Sequence, residues 1–231
     1  MMTSDTDWTP LAPSSRVLSE HIAEQLREAI ISDRFKPGQR IVEREIAEAM
    51  QTSRGPVRDA LLLLENEGLV VRYSHRGTFV EHLTMEDAEE IWSLRQAIES
   101  VAVEYAIKRA TPQDLEELDA LVEEMAAKVK AGYSLSEATE LDLAFHRTLC
   151  RISDHKRALA AWEALSSQTR VLLVGHRRRN PHDFPTRAVS WHRRLVDALR
   201  DGDLARAQDE LHKHLATTVD GLIIPSSEGE G

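Results

Sequence analysis

Cysteine is all but missing: Cys150 stands alone in 231 residues. That excludes an intrachain disulfide and a cysteine-built zinc finger, and it fits a reducing, cytoplasmic setting. Long apolar runs are also missing, none approaching the roughly 20 residues that a bilayer-spanning helix needs. The opening stretch "MMTSDTDWTPLAPSS" has neither a basic start nor an apolar centre, so residues 1–14 are expected to form a disordered arm and not a secretion signal. Positive charge is short as well, the net charge being −10, which argues at first against a nucleic-acid partner. The shortfall is uneven. Residues 1–80 hold 10 Lys/Arg against 12 Asp/Glu and residues 81–231 hold 19 against 27, so a locally basic surface in the first part is compatible with the total.

What is present is the composition of a soluble globular protein, 42% hydrophobic and 29% charged, in a chain long enough for two domains. Helical spacing of Leu18, Ile22, Leu26, Ala29 and Ile30 predicts a helix over 15–33, capped by Ser14 or Ser15. "KPGQR" at 36–40 ends it with a Pro-Gly turn. Short helices follow at 43–50 and 54–67, the second burying Val57, Ala60, Leu61 and Leu64 and stopping at Gly68. A β-hairpin is expected from Leu69–Arg72 and Gly77–Glu81 around a polar turn at Tyr73–Arg76. From Met85 onward only helical periodicity appears, in six helices at 85–109, 112–130, 135–152, 155–176, 185–200 and 203–222. The fold expected is mostly α: a winged helix-turn-helix over 15–81 with a small β-hairpin, a linker at 82–84, and an all-α six-helix bundle over 85–222. Residues 223–231 read as a disordered tail.

A helix-turn-helix sends the leading turn of its second helix into the major groove, and a hairpin wing reaches the backbone. Ser53, Arg54 and Arg58 occupy that leading turn, where arginines one turn apart can fork onto guanine or clamp phosphates. The plainer reading makes them solvated charges paired with a neighbour such as Asp59. The stretch "FKPGQRIVEREIAEAMQTSRGPVRDALLLLENEGLVVRYSHRGTFV" closely resembles the winged helix-turn-helix of GntR-type transcription regulators, without gaps from about Leu26 to Val80. The resemblance implies DNA contact by Arg44, Ser53, Arg54 and Arg58 and by the wing residues His75, Arg76 and Gly77. It also marks departures: Gln51 and Thr52 stand where the family usually has glycine and an aliphatic residue, and Gly55 where it often has a hydroxyl.

In the second part Asp142 and His146 lie at i and i+4, hence on one face of one helix, together with Phe145 and Leu149. An aspartate on an apolar stripe needs a partner. His192 and His214 sit on apolar stripes of two further helices, each 11 residues from Asp203, so an antiparallel fold-back at "DGD" brings them to one height. One carboxylate and three imidazoles at one level suit Zn²⁺, Ni²⁺ or Mn²⁺. Hydrogen-bonded core histidines are the plainer alternative. His212 faces another way on its helix, towards solvent. Arg95 lies inward beside Ile91, Ile98 and Ala102 and seeks an anion, either Glu99 or a small carboxylate effector. "HRRRNP" at 176–181 reads as a solvated helix end. The segments "LRQAIES", "DLAFHRTL", "SWHRRLVDALRDGD" and "LHKHL" resemble the FadR-type C-terminal effector domain, the FCD group. Members with the Asp, His, His, His pattern bind a metal through it, which the resemblance carries to Asp142, His146, His192 and His214. It does not carry to His155, which stands where the family often has asparagine.

These readings imply a cytoplasmic, homodimeric repressor of a DNA operator, responsive to a small carboxylate. A metal-dependent helical-bundle enzyme and a bundle that only dimerises are the alternatives.

Overall fold

The computed structural model describes residues 14–179 and 185–220, so the expected arm and tail lie outside the described residues apart from Ser14. The chain divides into two compact units between His82 and Leu83.

In the first unit α1 (Ser14–Ile31) packs on α3 (Arg54–Asn66), with α2 (Glu43–Ala49) against α3. The side chains of Ser14 and Ser15, both within α1, are outside the description. Ile22, Leu26 and Ile30 of α1 and Val57, Ala60, Leu61 and Leu64 of α3 are buried, which is the pairing of apolar stripes that helical spacing dictates. Arg27 grips Glu67 through two contacts of 2.7 and 2.6 Å, fastening α1 to the end of α3. The hairpin is β2 (Val70–Tyr73) with β3 (Gly77–Val80), and it carries a third antiparallel strand, β1 (Arg40–Ile41), in the order β1-β3-β2. Two residues show no alternation, so β1 passes for part of the Pro-Gly turn in the sequence; its one anchor is buried Ile41.

The second unit contains α4 (Met85–Arg109), α5 (Pro112–Ala131), α6 (Leu135–Ile152), α7 (Lys156–Arg179), α8 (Pro185–Arg200) and α9 (Leu204–Asp220). The first three each start on a reciprocal capping box: Thr84 with Asp87, Thr111 with Asp114, and Ser134 with Glu137. α4 is the central post, packed on α6, α7 and α9. Glycine at positive φ, Gly202 at 69°, ends α8, and Asp203 N–H returns to the Ala198 carbonyl, a reversal that lays α9 against α8.

Candidate functional site

Asp142 and His146 project from α6, His192 from α8 and His214 from α9, all buried. One ligand atom from each of the four lies within 4.8 Å of all the others. The equal spacing about Asp203 does set the histidines level, with the rings of His192 and His214 4.4 Å apart between centroids. His146 Nε2 is 2.9 Å from His214 Nε2 and 3.3 Å from His192 Nε2. Asp142 Oδ1 is 3.6 and 3.8 Å from the Nε2 atoms of His192 and His214. Ligand atoms about 2.0–2.2 Å from a common Zn²⁺ in a tetrahedral shell stand about 3.3 Å apart, so the donor set has the size of a metal cage.

The outer ring nitrogens say more. His192 Nδ1 is 2.8 Å from the Ala188 carbonyl, an acceptor only, so this nitrogen carries the proton and Nε2 is a bare lone pair. His146 Nδ1 lies 2.7 Å from Glu99 Oε2, again an acceptor, although the approach departs from an ideal hydrogen-bond direction. Two bare Nε2 lone pairs therefore face each other at 3.3 Å. Such a pair is repulsive until a cation or a proton sits between them.

Burial pushes the His192 imidazole down to about 4, against the pull of Asp142, and drives His214 well below its ordinary value. Protons are thus poor occupants of the cluster. Burial alone would raise both buried carboxyls. Arg95 above all outweighs it at Glu99 and holds it at about 2, while Arg177 is the main charge that holds Asp142 below the usual carboxylate range.

Two guanidiniums border the cluster. Arg95 is buried and gives its Nε to Glu99 Oε1 at 2.6 Å, the internal pair that its spacing allowed, while its Nη2 has no hydrogen-bond acceptor and lies 3.9 Å from Asp142 Oδ2. Arg177 corrects the reading of residues 176–181 as a solvated end. It is 0% exposed, donates to Thr139 Oγ1, and brings Nη2 to 3.5 Å from Asp142 Oδ1. Leu173, four residues earlier and also buried, was the sequence signal that Arg177 points inward, hidden by its three basic neighbours. Residues 180 and 181 of that run lie outside the description. His155 accepts the Ala158 N–H through Nδ1 at 3.0 Å and so caps α7. His212 meets Gln96 at the surface.

In the first unit Ser53 precedes α3 without a side-chain cap bond. Arg54 is exposed and makes no ion pair among the described residues. Arg58 is exposed and pairs with Glu43 on α2 at 2.7 Å, not with Asp59, and Arg44 pairs with Glu48 at 3.2 Å. His75, at φ 62°, and Arg76 are exposed in the wing turn, Arg76 over the Tyr73 ring. Gly77 has a nearer reason to be glycine than approach to DNA. Its φ is 100°, and a Cβ there would stand 3.2 Å from the Arg40 guanidinium.

A winged helix-turn-helix followed by a separate helical unit that buries a carboxylate–imidazole cluster defines a class of transcription regulators. Residues 18–80 match the model of the bacterial regulatory proteins of the gntR family, and residues 90–217 match the FCD domain. The chain belongs to the GntR family, in its FCD-bearing form, and the metal-dependent enzyme alternative falls with that assignment. It is 31% identical over 209 residues, 89% of this chain and 90% of the other, to the probable D-xylose utilization operon transcriptional repressor of Paenarthrobacter nicotinovorans. It is 36% identical over 135 residues to the regulator YdhC of Bacillus subtilis, a match spanning 58% of this chain and 60% of that protein. A GntR transcriptional regulator from Rhodococcus sp. RHA1 superposes with a TM-score of 0.74 at 26% identity, covering 88% of this chain and 97% of that one. Among the described residues no helix is long and apolar enough to cross a membrane.

Proposed function

We propose that this GntR-family regulator is a homodimeric repressor of the FadR subfamily whose grip on a DNA operator is set by a small anionic effector beside a divalent metal. Residues 15–81 are the DNA-binding part and 85–222 the effector-binding and dimerising part. Asp142, His146, His192 and His214 hold the metal, which is Zn²⁺, Ni²⁺ or Mn²⁺ by the mixture of imidazole and carboxylate donors. The gathering of one carboxylate and three imidazoles, all buried and with ligand atoms within 4.8 Å of one another, carries this reading, because that is the donor set of a divalent ion.

Charge balance supports an anionic effector. Inside the bundle Glu99 and Asp142 offset Arg95 and Arg177 one for one. A divalent ion adds two positive charges that no further buried carboxylate among the described residues compensates, and buried charge is costly until paired. A carboxylate on the open side of the ion, within reach of Arg95 Nη2, supplies the missing negative charge. An effector shifts operator affinity only by preferring one arrangement of the dimer over another. The relatives described as the probable D-xylose utilization operon transcriptional repressor and the gluconate operon transcriptional repressor support the repressor reading.

On the DNA side Arg54, exposed and without an ion pair among the described residues, is the leading base-reading candidate. Arg58, Arg44, Ser53, His75, Arg76 and Gly77 stand around it. Binding to DNA from the chain's own gene neighbourhood should weaken on Arg54→Ala by about 1–3 kcal/mol with loss of preference over random DNA. Retained preference would remove α3 from the reading role. For the metal, elemental analysis of the purified chain is direct, and stoichiometric metal kept by a His192→Ala/His214→Ala variant would dismiss the site.

A further inference from the structure

Glu99 makes no part of the four-residue cage, yet it touches one wall of it. Its Oε1 accepts two hydrogen bonds, from Arg95 Nε at 2.6 Å and from Trp162 Nε1 at 2.8 Å. These donors come from α4 and α7 and pin the carboxylate, leaving Oε2 for His146 Nδ1 at 2.7 Å. Glu99 and His146 are both 0% exposed, so the contact is shielded from bulk solvent. A carboxylate only accepts, so this 2.7 Å contact, although off the ideal hydrogen-bond direction, favours the proton on Nδ1 of His146 and leaves Nε2 bare. Nε2 is the atom that faces His192 and His214.

From this geometry we infer that Glu99 is a positioning residue for the metal, selecting the His146 tautomer that can ligate and aiming its ring into the cage. The inference rests on the metal reading above. It gives Arg95 and Trp162 a shared task one step further out, which is to hold the carboxylate that holds the ligand. Partners that orient a ligating histidine in this way are worth about 10–100-fold in metal affinity.

A Glu99→Gln variant separates this role from that of a plain counter-ion to Arg95. The two donors at Oε1 will claim the amide oxygen, which turns the amide NH₂ towards His146. Nδ1 must then accept, the proton moves to Nε2, and the ligating lone pair is lost. The full-length chain, stripped of metal, would be studied by long-range ¹H–¹⁵N correlation of the histidine rings and by Co²⁺ titration followed through its visible absorption. Wild type should show His146 protonated on Nδ1; E99Q should show it protonated on Nε2 and bind Co²⁺ about 10–100-fold more weakly. An Nε2–H tautomer in the metal-free wild type overturns the inference even if E99Q does not fold. So does an E99Q affinity within twofold of wild type. A wild-type chain that binds no Co²⁺ overturns the metal reading itself, and with it this role of Glu99.

Discussion

Gln51 holds a left-handed backbone, φ 51°, in the turn between α2 and α3. Thr52 N–H returns to the Ala47 carbonyl across it, the closure of a helix that usually ends on glycine. The absence of glycine was visible in the sequence; that the turn keeps its glycine-like shape regardless was not, because hydrogen bonds on either side enforce it. A residue with a Cβ gives up roughly 1 kcal/mol to sit there, partly offset by the greater freedom glycine has in the unfolded chain. Gln51→Gly should therefore range from neutral to about 1 kcal/mol stabilising in urea unfolding, and Gln51→Val should lose about 1–2 kcal/mol, since branching at Cβ worsens the clash. A Gln51→Val chain as stable as wild type would contradict this.

Acidity should act on the buried imidazoles. His192, faced by Asp142, His146 and Arg95, is held at about 4, and His214 well below its usual value, whereas in the unfolded chain both titrate near 6.5. Between about pH 6.5 and 4 the unfolded chain takes up protons that the folded chain refuses. The stability these rings contribute is thus full above pH 6.5 and drains away as the pH falls through that window. The loss approaches about 1.4 kcal/mol per pH unit for each ring. Urea midpoints of chelator-treated protein at pH 7 and pH 5 test it: about 2 kcal/mol should be missing at pH 5 on account of His192, with a further loss in the same direction from His214. Equal midpoints would mean that the rings are not held neutral.

At the scale of elements, helix existence was legible from apolar periodicity, and the capping boxes that fix three of the starts appear only in the structure. Thr84 begins α4 with its side chain accepting the Asp87 N–H at 3.1 Å while Asp87 accepts the Thr84 N–H at 2.8 Å. Thr84→Ala should cost about 1 kcal/mol by urea unfolding, and no loss would show that α4 is held by packing alone. Side-chain partners across elements were harder to read. Arg177 reaches Thr139 across 38 residues, and Trp162 reaches Glu99 across 63. Spacing along one helix says which face a residue takes but not which neighbour packs on that face. Asp142, His146, His192 and His214 were the exception, because a tight reversal at Asp203 converts distance along the chain into height in the bundle. Strand β1 was lost for the opposite reason, being too short to have a period.

For the molecule as a whole, the four residues proposed as ligands lie entirely within residues 83–231. Metal should therefore act on the melting of that unit and spare residues 1–82. At a hundredfold excess over Kd the stabilisation is about 2.7 kcal/mol. Differential scanning calorimetry after chelation and again with Zn²⁺ should move one transition up by roughly 5–10 °C. Equal movement of the whole profile would place the ion elsewhere or join the units into one cooperative block. The uneven acidity follows the same division: −2 over residues 1–80 and −8 beyond them leaves the winged unit nearly neutral and able to approach phosphate.

The meeting of His146 with His214 joins segments 68 residues apart, and His192 comes from a third helix between them. Asp142 and His146 already share a face of α6, but the cage closes only when His192 of α8 and His214 of α9 have docked beside them. An ion bound only by the closed cage would leave the speed of refolding unchanged and lengthen the half-life of the folded chain, a result that stopped-flow refolding and unfolding with and without Zn²⁺ would check. Metal supply would then govern how long each copy of the regulator survives as well as what it binds.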